Sequence, residues 1–164
     1  MTKEFTNILV AYDGSMDSVE ALKAAENLAK VNQSRLTIVH VKEQGDRIPL
    51  HHQQSFPIGQ GYTNTAPIAP QLKTGSDFKT DLEDDNSDHI LAEAKNHLTS
   101  ARTEAEYEKL LGTPSKEIVR FANQNEVDLI VIGSRGLSGI KKLVMGSVSH
   151  KVTNNANCPV LVIK

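Results

Sequence analysis

The run Leu129-Ile130-Val131-Ile132-Gly133-Ser134-Arg135-Gly136 constrains the fold more than any other part of the chain. Its apolar half reads as a buried strand, and that strand leads straight into a turn carrying Gly133 and Gly136. Past a basic and apolar link, Gly146-Ser147-Val148-Ser149 reads as the start of a helix. An apolar strand, a glycine turn and a helix N-terminus in succession are how parallel α/β proteins cradle phosphate. Glycine at 133 and 136 lets the backbone take positive φ and approach a ligand, while Gly146 and Ser147 offer free N–H groups. The positive end of the helix dipole and the turn amides both favour an anion. Hydroxyls of Ser134, Ser138, Ser147 and Ser149 and the charges of Arg135, Lys141 and Lys142 suit a phosphate chain. A glycine turn can also serve the chain reversal alone, without a ligand.

Other strands and helices alternate around this stretch. Ile8-Leu9-Val10-Ala11-Tyr12 is a first strand that ends at Asp13-Gly14-Ser15. The apolar positions Val19, Leu22, Ala25, Leu28 and Ala29 predict a helix after it. Either Ser15 or Asp17 caps that helix, with Glu20 completing a capping box in the second case, and Asn32 ends it in the left-handed conformation. Arg35 to Val41 is a second strand rich in β-branched residues, so strand, helix and strand form a right-handed βαβ unit. A helix from near Asp88 places Leu91, Ala94, Leu98 and Ala101 on one face. Ala105 to Leu111 is a third strand, and the charges flanking Tyr107 put it near a sheet edge. Thr113 and Pro114 open a further helix with Ile118, Phe121 and Ala122 facing inward, and Asn125 closes it. Val148 and Val152 lie on one face of the last helix, which breaks at Asn154-Asn155. Pro159 to Ile163 is an edge strand, where an exposed apolar edge predicts a homodimer.

Between about residues 43 and 85 the pattern fails. Pro49, Pro57, Pro67 and Pro70 with Gly45, Gly59, Gly61 and Gly75 mark a long, partly mobile insertion: a lid, a partner surface or a disordered excursion. His51 and His52 are adjacent without a third ligand in register, which favours solvent over a metal. Asp81, Glu83, Asp84 and Asp85 complement the dipole of the helix that follows.

Length and charge narrow the classes. The 164 residues suit one domain, and 18 basic against 20 acidic side chains, net −2, leave no electrostatic footprint for nucleic acid or an anionic membrane. No apolar run is long enough to span a membrane and Met1 leads into a strand rather than a signal segment, so a cytoplasmic protein is expected. The lone Cys158 forbids an intrachain disulfide, and its place before Pro159 favours a structural thiol over a redox one.

The spacing Gly133, two residues, Gly136, nine residues, Gly146-Ser147 resembles the G-x2-G-x9-G-[ST] nucleotide signature of the universal stress protein family. Ala11-Tyr12-Asp13-Gly14-Ser15, Val39-His40-Val41 and Cys158 to Ile163 resemble the same family, whereas the insertion departs from it. The resemblance implies a single domain: an α/β fold, an open doubly wound five-stranded parallel sheet with helices on both faces, Rossmann-like and adenine-nucleotide α-hydrolase-like, with strand order 3-2-1-4-5. For ATP-binding members it implies that Ala11, Tyr12 and Asp13 line the crevice, with Asp13 at the ribose or a Mg²⁺ or Mn²⁺ ion. It implies that Val41 meets the adenine through its backbone and that Ile132 and Gly133 flank base and sugar. Gly136, Gly146, Ser147, Val148 and Ser149 would hold the phosphates. It also implies homodimers with cytoplasmic roles in stress response. Asp13 has a second reading from its own residues, as a turn aspartate that caps the next helix.

No Walker A pattern fits Gly133 to Lys142 and no general base is evident, which favours a nucleotide-dependent sensor over an enzyme, with slow hydrolysis or self-phosphorylation at most. A nucleotide-independent interaction protein is the alternative. Asp13-Gly14-Ser15-Met16-Asp17-Ser18 only faintly resembles the pyrophosphate loop of adenylating enzymes.

Overall fold

Four short apolar stretches and one charged, alternating stretch become the strands. They are β1 (Asn7–Ala11), β2 (Arg35–Lys42), β3 (Ala105–Leu111), β4 (Leu129–Gly133) and β5 (Val160–Ile163). The helices are α1 (Met16–Asn32), α2 (Ser87–His97), α3 (Pro114–Gln124) and α4 (Ser147–Asn155). The computed structural model describes residues 5–44, 86–98, 104–137 and 145–164. All of them belong to one unit made of Met1–Gln44 and Asp85–Lys164. The insertion, with His51, His52 and the acidic run at 81–85, lies outside the described residues, as do Ala101, Ser138, Lys141 and Lys142.

The sheet is wholly parallel in the order β3-β2-β1-β4-β5, as expected. Ile8, Val10, Tyr12, Leu36, Ile38, Leu129 and Val131 pack under α1 and α2. The alternate residues Leu9, Ala11, Val39, Ile130 and Ile132 pack under α3 and α4. Helices therefore cover both faces, and β1, β2 and β4, the three inner strands, are buried nearly throughout. The Asp128 carboxylate pins the entrance of the sheet, accepting from Thr6 N (2.8 Å), Thr6 Oγ1 (2.8 Å) and Asn7 N (3.1 Å). Ala11 lies in register with both Val39 and Ile132, so the strands' C-terminal ends finish side by side.

Both edges are where the pattern put them. In β3 the exposed Glu106 and Glu108 alternate with an inward Tyr107, a charged edge that discourages further pairing. β5 is half-buried along its length, and half-buried Cys158 packs with the second cluster.

Helix ends differ from expectation in detail. Ser15 caps α1, accepting from Ser18 N at 3.2 Å, so Asp17 is not the cap. The left-handed residue is Gln33 (φ 54°), one position beyond Asn32, because the helix keeps Asn32 and closes through Ser34 N to Ala29 O. Helix α2 stops at His97; Leu98 is already extended, although it still packs on the first core. Thr113 precedes α3 as foreseen but its hydroxyl makes no capping bond, and its carbonyl instead receives Lys116 N and Glu117 N. Asn125 closes α3 with its backbone and side-chain N–H groups both on Phe121 O.

Gln33 carries the steric cost of a left-handed conformation that glycine avoids. Gln33→Gly is expected to stabilise the fold by about 0.5–1 kcal/mol, read as a raised urea midpoint with an unchanged slope.

Candidate functional site

Where β1 and β4 end together, the chain leaves on opposite sides of the sheet: β1 feeds α1 and β4 feeds the loop toward α4. A switch of direction between adjacent parallel strands opens a crevice at their carboxyl ends. Here it has a volume of about 660 Å³, and all twelve residues singled out for the ligand site line it: Ala11, Tyr12, Asp13, Val41, Ile132, Gly133, Arg135, Gly136, Gly146, Ser147, Val148 and Ser149.

The lining is of two chemical kinds. Val41, Ile132 and Ala11, with Pro114 and Ile118 from α3, are apolar. Gly136, Gly146, Ser147 and the first turn of α4 bring backbone amides, of which those of the helix start have no intrahelical acceptor. Pro114 and Ile118 were not foreseen here. Ile118 carries the helical period of a core residue, and nothing in that period tells a core wall from a crevice wall.

The glycines work by close approach rather than by positive φ, which among the described glycines occurs only at Gly14 and Gly112. A Cβ on Gly133 would lie 2.7 Å from the carbonyl carbon of Asp17 and 2.8 Å from Ser18 N. The strand end thus rests directly on the first turn of α1. A Cβ on Gly136 would lie 2.7 Å from Asp13 Oδ2, so Gly136 leaves room for that carboxylate. Asp13 Oδ1 accepts from Ser15 N at 2.9 Å. The turn aspartate and the crevice aspartate are therefore one residue, each oxygen facing a different neighbour.

Several groups expected to meet a ligand are otherwise engaged. The Gly146 N–H is not free, since it donates to Ser134 O at 2.6 Å. Ser134 is 1 % exposed and its hydroxyl donates to Asp17 Oδ2 at 2.7 Å. Ser149 is buried, and its single hydroxyl hydrogen is committed to Ser134 O (2.9 Å) or Gly146 O (3.0 Å). Among the described serines foreseen as donors, only exposed Ser147 keeps its hydroxyl for the crevice.

Comparison with known proteins agrees with this geometry. Residues 4–55 and 63–164 match the universal stress protein family. The chain belongs to the universal stress protein family. Universal stress protein YxiE of Bacillus subtilis is 34 % identical over 163 residues, spanning 98 % of this chain and 99 % of its own. Universal stress protein UspA from Lactobacillus plantarum superposes with a TM-score of 0.68 at 26 % identity, covering 99 % of this chain and 100 % of that one. A universal stress protein from Archaeoglobus fulgidus, solved in complex with dAMP, shares the fold with a TM-score of 0.63 at 24 % identity, covering 99 % of this chain and 100 % of that one.

In this universal stress protein the crevice electrostatics are modest. Burial, then the Glu93 and Asp13 charges, push the Tyr12 phenol above its usual value. Among the described residues no three His, Cys, Asp or Glu side chains converge on a metal position. The Asp13 carboxylate fits a Mg²⁺ or Mn²⁺ ion only if ligand phosphates supply most of the remaining oxygens, the usual arrangement for Mg²⁺ at a phosphate chain. No described helix is long and apolar enough to cross a membrane.

Asp17, one of the two residues the sequence offered as the α1 cap, instead crosses to the loop after β4. The Ser134 hydroxyl, aided by the Arg135 charge and N–H groups and opposed by burial, holds its carboxyl below the usual carboxylate range. A depressed folded pKa means that this contribution is complete above the unfolded value of about 3.9 and fades as pH falls through the folded one. Asp17→Asn should therefore lower the melting temperature at neutral pH and flatten the acid limb of a melting-temperature profile below about pH 4. Gly133→Ala, whose Cβ meets backbone it cannot displace cheaply, should destabilise the fold by about 1–3 kcal/mol in chemical denaturation.

Proposed function

We propose that this member of the universal stress protein family binds ATP in the crevice and acts as a nucleotide-dependent sensor or regulator in stress response. The observation that carries the reading is the crevice lining, which combines apolar side chains with glycine and helix-start backbone at the ends of adjacent strands. An adenine nucleotide has the matching halves: a flat base and an anionic chain. The Archaeoglobus fulgidus relative solved with dAMP supports an adenine ligand in this fold.

In this reading the base lies against Val41 and Ile132, with Val41 contributing backbone groups. The ribose meets Ala11, Tyr12 and Asp13, and the phosphates meet Gly136 and the helix start at Gly146, Ser147, Val148 and Ser149. Asp13 shares a Mg²⁺ or Mn²⁺ ion with the phosphates. The whole chain works as one cytoplasmic domain, paired as a homodimer along the outer edge of β5, and the nucleotide-bound form presents a surface to a protein partner. With the other serine hydroxyls committed within the fold, Ser147, backbone amides and the Arg135 side chain remain as phosphate donors, an arrangement that holds a ligand without an evident base to turn it over.

Isothermal titration of nucleotide-stripped protein with MgATP should give saturable binding near one nucleotide per chain and a raised melting temperature. Gly136→Val, which drives a side chain onto Asp13 Oδ2 at the mouth of the site, should weaken that binding by about tenfold or more while the unliganded protein still folds. Absence of heat and of a melting shift with the native chain would instead favour a nucleotide-independent interaction protein.

A further inference from the structure

Asp17 makes bonds that a helix cap or a surface carboxylate would not. Its side chain is only 17 % exposed, and its Oδ2 accepts from Ser134 Oγ (2.7 Å), Arg135 N (3.1 Å) and Arg135 Nε (3.3 Å). All three donors lie on the loop after β4, 117 and 118 residues away in sequence, and none on α1. A second tie runs beside it, since Ser15 Oγ donates to Arg135 O at 3.2 Å. Arg135 is thus gripped through its backbone N–H, its carbonyl and one side-chain nitrogen.

That grip leaves the chemically useful end of the side chain uncommitted. A guanidinium is planar, so a bond at Nε fixes the direction of the whole fork while its two terminal nitrogens keep their donors. Arg135 lines the crevice and its side chain is 37 % exposed, with no other recorded acceptor among the described residues. A fork held in one direction at the rim of a phosphate cradle suits a phosphate oxygen pair, which it meets bidentately.

We propose that Asp17 is a positioning residue for the polyphosphate part of the ligand, acting through Arg135. The proposal rests on the nucleotide reading above and adds to it how the outer phosphates are distinguished from the nucleoside. Asp17 touches no ligand atom itself. Its carboxylate aims the guanidinium and holds the Ser134–Arg135 peptide in place, so that an extended phosphate chain is met by a fork already oriented, whereas adenosine, which does not reach Arg135, is indifferent to it.

The test titrates native protein, Asp17→Asn, Arg135→Met and the double variant with ATP and, separately, with adenosine. Asp17→Asn keeps a carbonyl oxygen for Ser134 and the Arg135 amide but loses the charge facing Nε. It should weaken ATP by about threefold to tenfold and leave adenosine within about twofold of the native value. The double variant should lose no more for ATP than Arg135→Met alone. Equal loss for ATP and adenosine, additive losses in the double variant, or native ATP affinity in Asp17→Asn would each overturn the proposal while leaving the nucleotide reading intact. Native protein that binds neither compound would remove both. Should Asp17→Asn fail to fold, nitrogen-15 spectra of the native chain decide. A resolved, slowly exchanging Arg135 Nε–H without ligand, assigned by its loss in Arg135→Lys, supports the grip, and a solvent-averaged one overturns it.

Discussion

Ser134 is the point through which the functional end of the sheet is held together. Its N–H donates to Ile163 O, its hydroxyl to Asp17, and its carbonyl accepts from both the Gly146 N–H and the Ser149 hydroxyl. One residue with almost no exposed surface therefore joins the last strand, the first helix and the start of the last helix. A buried polar group of this kind is costly when any partner is missing and stabilising when all are present. Here every polar atom of the residue is matched, which favours one geometry for the turn that starts there. The crevice is only as well defined as that turn, because Gly136 and Arg135 follow directly.

Most of the fold could be read in advance because its signals are local. Strands buried on both faces announce themselves as continuous apolar runs, Pro114 marks a helix start, and the charged flanks of Tyr107 mark an edge. What escaped were properties of tertiary partnership. Asp17 looks like a capping residue in the run Ser15-Met16-Asp17-Ser18, and only the packing of α1 on β4 reveals that its carboxylate crosses to the opposite loop. Ser134 and Ser149 look like phosphate donors beside glycines, yet their hydroxyls are committed within the fold. Gly133 and Gly136 were expected to supply unusual backbone angles. They supply closeness instead, a requirement set by atoms more than a hundred residues away in the case of Gly133 and Asp17.

The crevice itself shows how a parallel sheet divides labour without a second domain. The register that ends β1 and β4 level brings apolar side chains and helix-start amides into the lining of one opening. Few of the side chains that line it carry charge, and the electrostatic attraction for an anion comes largely from backbone amides and a helix dipole. Such groups do not titrate.

The hydrogen bond from Ser134 N to Ile163 O has a further consequence. It places the outermost strand of the sheet one peptide group away from the crevice floor. A substitution that displaces the end of β5 would therefore reach Ser134, and through it the turn that carries Arg135 and Gly136, without touching a residue of the crevice lining.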